Sequence, residues 1–187
     1  MKNNSVKKLT LTAMFMALGI VLPFFTGHVP QIGSMLLPMH IPVFLCALIC
    51  GEKYSTPMAF ILPLFRSFLF GMPPIFPTAT AMAFELATYA FVAGFIYTHS
   101  KWQCSKMLLK SIVIAMIAGR LVWGIVMAIL MGISGNAFTF NAFLAGALLN
   151  AIPGIVLQLL LIPAVMIALN KTKLVPFCHS NDNTEKA

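Results

Sequence analysis

The sequence predicts an all-α integral membrane protein with six transmembrane helices, both termini cytoplasmic, and a second helix that is short or broken at its outer end. Three observations predict it. Hydrophobic residues make up 60% of the 187 residues and charged residues 9%, where an ordinary soluble domain carries about 45–50% and about 25%. Six apolar runs of helical length divide the chain. The lysines fall only in the two tails, in alternate gaps between those runs and, for Lys110, in the first turn of the run after such a gap, the pattern of cytoplasmic loops that retain positive charge.

The runs are 9–25, 35–51, 56–71, 78–98, 107–133 and 143–170, and at about 1.5 Å per residue each spans or nearly spans a core about 30 Å thick. Run 9–25 follows Lys2, Lys7 and Lys8, the basic start of a signal peptide. No small-x-small cleavage site stands immediately before Thr26, where the chain reads Pro23-Phe24-Phe25, and about 17 residues is long for a signal core, so it reads as an uncleaved first helix. In run 35–51, Pro38 and Pro42 break the beginning. Regular helix is therefore expected only from near Ile41, preceded by irregular backbone that must be buried in protein or line a cavity. Pro63, Pro153 and Pro163 fall inside later runs, where kinks are expected. The six runs form one domain over residues 1–187, ending in a polar cytoplasmic tail, 171–187. The two halves share no repeat of the kind that builds symmetric transporters.

The topology follows from charge. Lys2, Lys7, Lys8, Lys53, Lys101, Lys106, Lys110, Lys171, Lys173 and Lys186 all lie on one side if six helices cross, and segments 26–34, 72–77 and 134–142 contain no Lys or Arg. The net charge of +8 is thus the cytoplasmic rim of a membrane protein, and no aromatic-interleaved basic patch offers a surface for nucleic acid. A mean hydropathy of +0.95, with 16 Phe and 13 Met, excludes a cytosolic enzyme, a secreted disulfide scaffold and a disordered chain. Cys46, Cys50, Cys104 and Cys178 have no metal or disulfide spacing. Cys46 and Cys50, four apart in an apolar run, pack as small hydrophobes.

Three charged residues lie well inside the runs: Arg66, Glu85 and Arg120. Each costs at least about 2.5–3.5 kcal/mol at a helix centre and must face protein or a wet cavity. Arg66 and Arg120 stand about 16 and 20 Å from the inner ends of their runs and Glu85 about 10 Å from its outer end, so they converge on the middle and outer half of the membrane. His40, Trp123, Tyr89, Asn141 and Asn150 share that level. Two readings fit: a structural Arg–Glu pair tying helices together, or a ligand pocket open to the outside. Two arginines against one carboxylate leave a surplus positive charge, which favours an anionic ligand group. Tyr89 and Trp123 equally fit packing or interface aromatics. His28 reads as a loop histidine, and Met35, Met39 and Met72 as adaptable packing rather than a metal port. No paired carboxylates and no HExxH, phosphate-loop or GxSxG motif occur, so no enzyme activity, metal or cofactor is expected.

In the first run, Ala13 and Ala17 lie four apart, followed by Gly19. Such a face permits close approach of another helix in lipid, either inside the fold or from a partner.

These features together resemble a family, the substrate-binding membrane subunits (S components) of energy-coupling factor transporters, the ATP-driven vitamin importers. The resemblance spans about residues 8–171. It is carried by the six-helix unit, the Ala13-x-x-x-Ala17 face, the long loop after run one, and the stretch Leu37-Pro-Met-His-Ile-Pro-Val-Phe44 leading into residues 47–51. Residues 63–66, Gly71-Met-Pro-Pro74 and Met82-x-x-Glu85-Leu86 add to it. The resemblance implies a subunit of the cell membrane that binds a vitamin in an occluded pocket, with the loop containing Gly27, Pro30, Gly33 and Pro38 as its lid. It implies that Ala13 and Ala17 dock on a membrane scaffold subunit driven by two cytoplasmic ATPases. The chain itself carries no ATPase motif. No residue is diagnostic for riboflavin, thiamine or biotin, and pantothenate is the first candidate because its carboxylate would use the arginine surplus. The alternatives are a self-sufficient secondary carrier or channel, for which Glu85 and His40 would supply an ion relay, and a non-transporting membrane assembly factor.

Overall fold

The computed structural model describes residues 2–25, 38–100, 105–133 and 152–171, and every regular element among them is helical. In chain order these are α1 (Lys2–Phe25), α2 (His40–Cys50), α3 (Glu52–Phe70), a short wide turn (Ile75–Ala79), α4 (Thr80–Thr98), α5 (Ser105–Ile133) and α6 (Ile152–Lys171). Ser5–Pro23, Ile75–Thr98, Lys106–Ile133 and Ile152–Leu169 are each long and apolar enough to cross a membrane. Of the other two helices, α2 has 11 residues and α3 carries Glu52, Lys53 and Arg66.

The helices follow the apolar runs but outlast them at their basic ends. α1 begins at Lys2 rather than at residue 9, α3 at Glu52 rather than 56, and α5 at Ser105 rather than 107. Hydropathy marks contact with lipid, whereas backbone hydrogen bonding continues into water wherever helix formers such as Lys and Glu follow. Lys7, Lys8, Lys106 and Lys110 accordingly project from helical turns into exposed positions, and Glu52 opens α3 where the helix dipole favours an acid. The first part of run 143–170 lies outside the described residues.

Helix α2 begins at His40 after a turn at Pro38 and Met39, one residue from the position at which the two prolines allow regular helix. All its residues except Ile49 are buried, because α1, α3, α4 and α6 all pack around it. An apolar helix enclosed on every side is the expected outcome for a segment hydrophobic all round, and the enclosure also shelters Pro38 and Met39, which are buried too. A single residue, Gly51, joins α2 to α3. Its φ of 85° favours glycine, and it donates to the Ala47 carbonyl (3.1 Å) while accepting from the Ser55 amide (3.2 Å).

Helix α4 packs against α2, α3 and α5, and small residues on its buried positions (Ala81, Ala83, Ala90, Ala93, Gly94) let them approach. At Gly94 a β-carbon would stand 2.8 Å from the Glu52 amide nitrogen. The start of α3 is thus pressed against the end of α4, where Thr98 Oγ1 donates to Glu52 Oε2 at 3.0 Å. At the other end of α3, Gly71 takes a φ of 68° and Ser67 Oγ donates to the Pro73 carbonyl. The connector continues through cis peptides before Pro73 and Pro77.

The outer faces are apolar. On α5, Ile117, Leu121, Ile125, Ile129 and Ile133 recur every four residues and all are exposed, a stripe suited to lipid. Cys46 and Cys50 are buried free thiols, with Cys46 Sγ 3.7 Å from Thr12 Oγ1 across the α1–α2 contact. They fill space, as the apolar run implied.

Candidate functional site

The most polar part of the interior is built around Glu85, which is 2% exposed. One turn along α4, Tyr89 donates its hydroxyl to Glu85 Oε1 at 2.6 Å. From α5, Arg120 Nη1 lies 3.1 Å from the same oxygen. From the head of α2, His40 Nε2 stands 4.0 Å away, beyond hydrogen-bonding range. Both His40 ring nitrogens are buried without a hydrogen-bond partner among the described residues.

The Tyr89 ring forms the lower boundary of this cluster. It stacks on Phe44 with centroids 5.2 Å apart and leans against His40 at 5.4 Å. It reaches that position because residue 119 is glycine: a β-carbon there would overlap the ring. The sequence Gly119-Arg120 therefore does two things on one turn of α5. The glycine admits the tyrosine, and the arginine meets the carboxylate that the tyrosine also binds. Below this level the buried positions are mostly apolar, including Ala93 on α4 and Ile112 and Ala115 on α5, and the hydroxyls of Thr12, Ser55 and Ser111 are spent on nearby backbone carbonyls.

Arg66, on α3, is not drawn to Glu85. Its Nη1 lies 3.6 Å from the Met39 sulfur, a weak acceptor, and its buried Nε has no hydrogen-bond partner among the described residues. No carboxylate lies within ion-pair distance of it among those residues. The structure thus brings Glu85, Tyr89, Arg120 and His40 together and places Arg66 beside Met39, the neighbour of His40, as a second cation. Trp123 follows Arg120 by one turn and is half-buried. Asn141, Asn150, Gly27, Pro30 and Gly33 lie outside the described residues, and Pro38 is buried at the entry to α2.

On α1 the small residues divide between two faces. Ala13 and Ala17 are exposed together with Met14, Leu18 and Val21. Gly19 is buried, and a β-carbon there would stand 2.7 Å from Leu62 Cδ2. Gly19 serves the fold, and Ala13 and Ala17 remain open to a neighbour.

Three residues escaped the sequence reasoning. Phe44 carries no signal beyond being apolar. Gly119 was legible as a glycine beside a membrane arginine. Gln158, 1% exposed on α6, was legible as a carboxamide within a 20-residue helix whose other side chains are mostly apolar.

The family described as ECF transporter, substrate-specific component, matches residues 7–166, which takes in most of α1, all of α2 to α5 and most of α6. No curated protein and no solved structure matches the chain. With the family match covering most of the chain and several apolar helices beside it, the chain belongs to the substrate-specific components of ECF transporters: it is a multi-pass membrane protein that binds a transport substrate, and not an enzyme.

Proposed function

We propose that this chain captures a small anionic micronutrient at the outer face of the cell membrane for an ATP-driven ECF importer, with pantothenate the first candidate. In this reading all six helices cross the membrane with both termini cytoplasmic, as the ten lysines require. The observation that carries the anion is the pairing of charges: Glu85 neutralises and orients Arg120, while Arg66 has no carboxylate partner among the described residues. A cation held in a low-dielectric site attracts an anion far more strongly than one in water, and Arg120 retains further N–H donors for a bidentate contact. In this reading His40 and Tyr89 beside Glu85 are further substrate contacts, and Trp123, Asn141 and Asn150 are proposed contacts on the strength of their positions in the sequence.

The segment 26–39, with Gly27, Pro30, Gly33 and Pro38, closes over the ligand as a lid. Ala13 and Ala17, exposed on α1, dock on the scaffold subunit, and two cytoplasmic ATPases supply the energy. The two-faced division of α1 supports this assignment, since an alanine pair used for internal packing would be buried as Gly19 is.

A melting-temperature screen of the purified chain against a vitamin panel tests the reading, because a ligand that binds the native state raises its melting temperature by mass action. An acid should stabilise the protein and its neutral amide should do so much less. Equal stabilisation by both removes the anion site.

A further inference from the structure

Gln158 sits in a buried stripe of α6, Gly154, Gln158, Ile162 and Met166, spaced four apart. α6 packs against α2 and α5. Ile162 and Met166, one and two turns further along, are fully enclosed, so the stripe turns apolar below Gln158. The Gln158 amide nitrogen is itself buried and has no hydrogen-bond partner among the described residues. An aliphatic side chain at this position would remove a buried, unpaired donor with no loss of helix propensity.

The level is informative. Counted at about 1.5 Å per residue from the helix ends at Lys171, Glu52, Thr98 and Ser105, Gln158 stands about 20 Å along α6, as Arg66, Glu85 and Arg120 do along α3, α4 and α5. His40, whose buried ring nitrogens like the buried Nε of Arg66 have no hydrogen-bond partner among the described residues, heads α2, which is one of the helices that α6 packs against.

We infer that Gln158 is a substrate-contacting, specificity-determining residue whose amide N–H donates to a neutral carbonyl of the substrate while the arginines take its acid. The substrate class is then a small carboxylic acid that also carries an amide or urea carbonyl. The inference rests on the anion-binding reading above and narrows it. A buried donor without a protein partner discriminates strongly in this way, because a substrate lacking the acceptor leaves it unpaired in the complex.

The test uses the purified full chain with five acids as probes: pantothenate, biotin and folate, which carry an amide or urea carbonyl, and lipoate and nicotinate, which do not. Dissociation constants and ligand-free melting temperatures are measured for wild type, Gln158→Leu and Gln158→Met, the second variant keeping an unbranched chain of similar length. The wild type should bind from the first group and not the second. Both variants should bind the same acid about 10- to 100-fold more weakly, with ligand-free melting temperatures equal to or above wild type.

Wild-type binding of lipoate or nicotinate as tight as that of the first group overturns the substrate class. Unchanged affinity in the variants overturns the role of Gln158 and leaves the anion reading standing. A lowered ligand-free melting temperature in both variants makes Gln158 a structural partner and also overturns the inference. Binding of none of the acids by the wild type overturns the anion reading and this inference together.

Discussion

The ring of Tyr89 occupies the space that a β-carbon on residue 119 would fill, so the hydrogen bond from Tyr89 to Glu85 on α4 depends on a glycine of α5. The dependence is local and steric. Gly119→Ala forces the ring aside, and with it the hydroxyl that bonds Glu85 at 2.6 Å. Overpacking of this kind costs about 1–3 kcal/mol. Gly119→Ala should lower the melting temperature in the wild-type background and do so much less in a Tyr89→Leu background, since the clash is then gone. A penalty of the same size in both backgrounds would mean that the glycine serves something other than the tyrosine.

The charge at position 120 should matter for the ligand more than for any neutral analogue. Arg120→Ala is expected to weaken acid binding by about 2–5 kcal/mol, the range for truncating one partner of a buried charge pair. Arg120→Lys should restore only part of it, because an ammonium cannot reproduce a guanidinium fork. Arg66→Ala should also weaken acid binding while leaving the Glu85–Arg120 pair in place. Titration calorimetry with the acid and its amide reads the difference. Equal losses for the two ligands would make Arg120 a structural counter-ion of Glu85 alone.

The two faces of α1 should separate genetically. Replacing Ala13 and Ala17 with Trp is expected to abolish co-purification with the scaffold and ATPase subunits and to leave ligand affinity unchanged, since both positions are exposed. Gly19→Leu should instead depress thermal stability by driving into Leu62. Loss of ligand binding in the alanine double variant would assign that face to the fold.

Topology can be read by labelling. With the native cysteines replaced, a cysteine introduced at Asn136 should react with an impermeant maleimide from outside intact cells, and one introduced at Lys53 only after permeabilisation. A residue at 136 that reacts only from the cytoplasmic side would refute the arrangement that places all ten lysines within.

Much of this protein is determined by its sequence alone. The solvent, the helical class and the cost of the three charges inside the apolar runs follow from residue-by-residue transfer costs, which hardly depend on neighbours, and the late start of the second helix follows from Pro38 and Pro42. The tertiary structure decided which way each helix faces. In water a helix reveals its buried face by contrast between apolar and polar residues, but lipid is as apolar as a protein core, so the contrast vanishes. Nothing in the pattern distinguishes Phe84, exposed, from Leu86, buried, or Ala13 and Ala17 from the buried Gly19. For the same reason sequence placed Arg66, Arg120 and Glu85 at one level without saying which arginine meets the carboxylate. The packing of α5 against α4 settled it for Arg120, because Gly119 beside it lets the two helices close around Tyr89.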